Sequence, residues 1–243
     1  MKPKIEVHLT KMADNAHAYL QAILDKDRTK AISIITRLIE QGYDLVQIFR
    51  VLSEAQVEIG ELWAKNIITV ADEHFATQVT LDMIGLASSR ITKSSLRAGS
   101  AVVLSCVEGE FHYVGLKMFA EILVKEGWDV QFLGQSLPIR HIIDTLKKKK
   151  GGKVDLICLS VTIPFNISSL VDTIRALRKE PVLKEAVIIV GGRIFKSKKI
   201  SGMIEANLHE RLADYATTDI QDALHFLSKL HTKRKRLASR IEG

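Results

Sequence analysis

From Ala101 onward the chain alternates short, continuously apolar runs with segments of helical periodicity, and few folds accept that rhythm. The runs are Ala101–Leu104, Asp129–Leu133, Leu156–Leu159, Val187–Val190 and Asp214–Ala216. Helical patterns follow them over 113–126, 138–149, 166–178, 199–208 and 219–231. A strand that is apolar at every position is covered on both faces, and strands separated by helices run parallel. The expectation is an α/β fold: a doubly wound, Rossmann- or flavodoxin-like sheet of five parallel strands. Such sheets bind their ligands beyond the carboxyl ends of the strands.

The first ninety residues follow a different rule. Met12, Ala16, Tyr19, Leu20 and Ile23 recur at helical spacing between Lys11 and Leu24. Asp27 reads as the N-cap of a second helix through Ile39, and Gly42 ends it. Asp44 opens a third helix carrying Leu45, Ile48, Phe49 and Leu52 on to Leu62. Thr69-Val-Ala-Asp72 has the form of a capping box and starts a fourth helix reaching Ile91. The expected organisation is a disordered lead over 1–10, a four-helix bundle over 11–91, and a linker over 92–100. The α/β domain follows over 101–231, with a basic tail over 232–243.

Composition narrows the class. No apolar run approaches the roughly 20 residues of a membrane span, and the start Met-Lys-Pro-Lys-Ile-Glu lacks the apolar core of a signal peptide. Cys106 and Cys158, at the ends of expected strands, read as buried thiols rather than a disulfide framework, so the expected compartment is the cytoplasm. Much of the net charge of +7 sits in Lys147–Lys150 with Lys153 and in the tail from Lys229 to Arg240. These read first as a solvated loop and a frayed terminus.

Three features fall at the carboxyl ends of expected strands. The first is Glu108-Gly-Glu110-Phe111-His112-Tyr-Val-Gly115, the second Ser160-Val-Thr162, and the third Gly191-Gly192. Hydroxyls and bare backbone at adjoining strand ends suit a polar ligand tail. There is no G-x-G-x-x-G after the first strand, so this is no dinucleotide fingerprint. His112 reads as a metal ligand, with Glu110 holding its other ring nitrogen. One histidine makes a poor zinc site, so the metal is expected inside a cofactor that supplies its other ligands.

In this order and spacing the chain resembles the cobalamin-binding domain family, whose pattern is D-x-H-x-x-G, then S-x-L or S-x-T, then G-G. The resemblance implies that His112 ligates cobalt from below in place of the cofactor's own base. It further implies that the nucleotide tail passes between strands one and four, past Ser160, Thr162, Gly191 and Gly192, and that the bundle caps the upper face. Phe111 and Gly115 join the cofactor-binding set. Gly134 and Pro138 also fit family positions after the second strand. Trp63, followed nine residues later by Glu73-His74, resembles adenosylcobalamin-dependent photoreceptors of the carotenoid-repressor type. There the Trp packs against the upper adenosyl group, and Glu and His line its pocket.

That resemblance implies a cobalamin-binding light sensor rather than an enzyme. Adenosylcobalamin, or else methylcobalamin, would be the cofactor, and light would cleave the cobalt–carbon bond. The loss of the upper group would rearrange the cap and change contacts with a homo-oligomer or a regulatory protein partner. Three departures stand out: Glu110 in place of Asp, Ala64 where those photoreceptors carry a second cobalt-binding histidine, and no DNA-binding helix-turn-helix before the bundle. Direct DNA binding is therefore not expected, nor is a membrane partner. The alternatives are a corrinoid methyl carrier of a methyltransferase system, a same-fold sensor with an added bilin or haem, and a basic accessory protein that has lost the cofactor.

Overall fold

A computed structural model describes residues 2–91, 101–148, 154–197, 200 and 212–241, which fall into two compact units dividing at Ser94 and Ser95. The expected linker and the expected helix over 199–208 lie outside the described residues, except for Ile200.

The first unit is a bundle of α1 (Lys2–Leu24), α2 (Arg28–Glu40), α3 (Leu45–Ala64) and α4 (Val70–Arg90). Its start corrects one expectation: residues 2–10 are not a separate disordered lead but the first turns of α1. Three helices begin on local caps. Asp27 accepts from the Lys30 backbone N–H at 2.8 Å. Asp44 and Gln47 exchange a reciprocal pair at 2.9 Å each, and Thr69 and Asp72 form the other capping box. Caps of this kind contribute about 1 kcal/mol each. Gly42, at φ +82°, takes the left-handed residue after α2. Tyr19, Ile35, Leu38, Phe49, Leu52 and Ile84 are buried in the core. Thr80 is buried among them, where its Oγ1 lies 3.0 Å from the Tyr19 hydroxyl and accepts from Gln56 Nε2 at 2.6 Å. A buried hydroxyl without partners would destabilise the bundle, and here it has two.

The second unit is the expected parallel sheet. Its strands are β1 (Ala101–Cys106), β2 (Asp129–Gly134), β3 (Leu156–Ser160), β4 (Val187–Gly191) and β5 (Tyr215–Thr217), in the order β2-β1-β3-β4-β5. Helices α5 (Val114–Lys125), α6 (Ile139–Lys148), α7 (Ile167–Lys179) and α8 (Ile220–Ile241) complete it. Val103, Ile157, Leu159, Ile188 and Val190 face one core with α6 and α7, whereas Val102, Leu104, Cys158 and Ile189 face another with α5 and α8. Burial on both faces is why these strands read as unbroken apolar runs. The tail expectation is also corrected, because α8 continues as helix through Ile241.

Both cysteines are free and buried. Burial pushes the Cys106 thiol up to about 12 and the Cys158 thiol higher still, so neither supplies a thiolate at neutral pH. Among the described residues no helix is long and apolar enough to cross a membrane.

Candidate functional site

β3 lies between β1 and β4, and the three motifs of the sequence sit on these neighbouring strands. Register fixes their levels: Cys106 pairs with Ser160, and Ser160 with Gly191. The segments leaving β1, β3 and β4 are thus brought side by side at one sheet edge. Backbone bonds stitch them there, from Val107 N–H to the Ser160 carbonyl at 3.4 Å and from Val161 N–H to the Gly191 carbonyl at 2.9 Å.

Glu110 is the anchor of the β1 loop, and it is fully buried. Its Oε1 lies 2.5 Å from His112 Nδ1 and accepts from the His112 backbone N–H at 2.9 Å. Its Oε2 accepts from the backbone N–H groups of Thr162 at 2.7 Å and Ile163 at 3.3 Å, and from Asn166 Nδ2 at 3.3 Å. Burial alone would raise the carboxyl's pKa. The donors from His112, Thr162 and Asn166 outweigh burial and hold it at about 2, against an ordinary 4.5. The extra methylene of Glu over Asp is absorbed because the carboxylate reaches across to the β3 loop.

An ionised Glu110 beside Nδ1 selects the tautomer with its proton on that nitrogen, which leaves the lone pair on Nε2. The His112 side chain is 55% exposed while its carboxylate partner is sealed away. This is the arrangement of a metal-binding imidazole held by a buried carboxylate. Among the described residues no cluster of three or more His, Cys, Asp or Glu could hold a metal ion by itself. A single imidazole suits a cofactor that brings its own equatorial ligands. The backbone fits such a group too. Open space lies where a Cβ would stand on Gly115 in the first turn of α5, and Gly192 presses its backbone against Val161.

Phe111 is exposed next to His112, Ser160 closes β3 and is nearly buried, and Thr162 contributes its backbone N–H. Trp63, Glu73 and His74 belong to the other unit. Trp63 is 46% exposed in the last turn of α3, and Glu73 and His74 lie in the first turn of α4. Glu73 Oε1 accepts from the Thr77 hydroxyl at 2.8 Å, and Glu73 Oε2 lies 3.7 Å from His74 Nε2.

Two residues at the sheet edge lay outside the expected site set. Asn166 donates from the same Nδ2 to Glu110 and to the Gly109 carbonyl, at 3.1 Å for the latter. Ser136, at φ +47°, accepts from Gly109 N–H at 3.1 Å and donates its own N–H to the Glu110 carbonyl at 2.8 Å. The only sequence signal was their place beyond strand ends.

Comparison with known proteins places this geometry. Residues 16–86 and 100–201 each match a model of the B12 binding domain. A dimethylamine corrinoid protein of Methanosarcina acetivorans is 20% identical over 176 residues, covering 72% of this chain and 81% of the relative. One from Methanosarcina mazei is 28% identical over 138 residues, covering 56% of this chain and 76% of the relative. In fold, the chain is similar to the monomethylamine corrinoid protein of Methanosarcina barkeri. The TM-score is 0.71 at 16% identity, over 87% of this chain and 96% of the other.

These relatives overturn the light-sensor expectation. It rested on Trp63, Glu73 and His74, and an exposed indole beside an acid–imidazole pair does not select an adenosyl group over another upper ligand. The cobalamin part of the expectation stands, and the matched segments span most of the chain. By these two successive domains, one helical and one α/β, the chain belongs to the B12-binding family.

Proposed function

We propose that the chain is a corrinoid methyl carrier, serving as the corrinoid subunit of a methyltransferase system rather than as a catalyst alone. The observation that carries this reading is the His112–Glu110 pair, an exposed imidazole keyed by a buried, ionised carboxylate, in a chain related to methylamine corrinoid proteins. His112 is the lower cobalt ligand. Gly115, Ser160, Thr162, Gly191 and Gly192 border the path of the cofactor's tail, and Phe111 adds apolar surface beside the imidazole. Trp63, Glu73 and His74 are assigned to the upper side of the corrin. When bound, the corrinoid supplies a cobalt atom that takes up and gives back a methyl group, with methylcobalamin as the loaded form.

The residues of the chain supply position and charge. Glu110 keeps the proton on Nδ1, so Nε2 stays basic enough to bind metal. The amides of Thr162 and Ile163 hold that carboxylate without offering a titratable proton. Methyl-donor and methyl-acceptor enzymes are the partners this role requires.

The test is an absorption titration of the protein with hydroxocobalamin and methylcobalamin, repeated with His112→Ala. Wild type is expected to bind both, with its own base displaced by the histidine, and His112→Ala to lose that spectral signature. Absence of corrinoid binding, or identical spectra for wild type and His112→Ala, would overturn the proposal.

A further inference from the structure

Helix α8 has two halves. In the first, Ile220, Ala223, Leu224, Phe226 and Leu227 pack on the sheet, with the Phe226 ring stacked on Tyr215 at 4.3 Å between centroids. In the second, the helix continues to Ile241, about 21 Å beyond Leu227 at the usual rise per residue. The apolar seam continues with it: Leu230, Leu237 and Ile241 follow Leu227 at steps of three, seven and four. Lys229, Lys233, Arg236 and Arg240 fall on a second stripe, about 90° round the helix from that seam.

We propose that the distal half of α8 is a docking helix for an acidic protein partner, in which the apolar seam lies along a partner helix and the basic stripe pairs with its carboxylates. A seam of single apolar residues at heptad spacing is narrower than the face of a membrane-surface helix and matches helix–helix contact. The segment from Ser228 to Ile241 contains no Phe, Tyr or Trp on which bases could stack. Phosphate binding would also leave the seam unused. A second copy of this chain would bring basic stripe against basic stripe, so the partner is of opposite charge.

The experiment uses the full chain, with and without hydroxocobalamin. It measures fluorescence anisotropy with three labelled probes: a synthetic helical peptide of leucine heptads flanked by glutamate, a DNA duplex, and phosphatidylserine vesicles. The expected result is peptide binding that weakens with salt. It should fall at least ~10-fold in K229E/K233E/R236E/R240E and in L230S/L237S, while the two variants keep the helix content of wild type. The charge-reversed variant alters no seam position, so it tests the proposal even if the seam variant misfolds. Tighter binding to DNA or to vesicles, no binding of the peptide, or no loss in the charge-reversed variant would overturn the proposal. Corrinoid uptake is read in the same samples and is unchanged in every variant, which separates failure of this inference from failure of the carrier reading.

Discussion

Glu110 carries more of the site than any other side chain, because each of its oxygens meets donors from a different part of the chain. Glu110→Ala leaves the donors of Thr162, Ile163, Asn166 and His112 without their acceptor. It is expected to destabilise the protein by about 3 kcal/mol in urea unfolding and to weaken corrinoid uptake. Glu110→Gln keeps the shape and loses the charge. The wild-type carboxyl is held at about 2, below its ordinary 4.5. Its contribution to stability is therefore complete above 4.5 and lost as pH falls toward 2. Urea midpoints of the protein without corrinoid are expected to fall less steeply across that window in Glu110→Gln than in wild type. Equal slopes would show that Glu110 is not held ionised by its neighbours.

Among the elements, the glycine pair after β4 shows how adjacent residues of one type do different work. Gly192 sits at φ +125°, and a Cβ there would stand 1.8 Å from the Val161 carbonyl oxygen, a backbone atom that cannot swing aside. At Gly191 the nearest atom is the Thr217 carbonyl oxygen at 3.5 Å, an ordinary contact. Gly192→Ala is expected to cost more than ~3 kcal/mol and to abolish corrinoid binding, while Gly191→Ala stays within ~1 kcal/mol of wild type in thermal unfolding. The helix starts were legible from sequence for a simple reason: Asp27, Asp44 and Thr69 bond within three residues of themselves. The strands were legible because burial on both faces leaves an unbroken apolar mark. Asn166 and Ser136 were not, since they act across 57 and 27 residues through bonds to Gly109 that no local spacing announces. The helical start of α1 was missed because residues 2–10 carry no apolar period, and the light-sensor reading failed because three residues were asked to specify an upper ligand.

At the scale of the molecule, two units with separate cores imply two cooperative transitions. Calorimetry is expected to resolve both, with hydroxocobalamin raising the transition of the unit that carries His112, since ligand bound only to the folded form stabilises it by mass action. A single transition, or none that moves with cofactor, would contradict that division.

The stitching of three strand ends around Glu110 also bears on kinetics. A loop already tied down by Ser160, Thr162, Asn166 and Ser136 has little conformational freedom left to surrender when a ligand arrives. Its encounter with cofactor is that of a rigid receptor, so capture by His112 proceeds in one step whose rate rises in proportion to corrinoid concentration, with no ordering phase behind it.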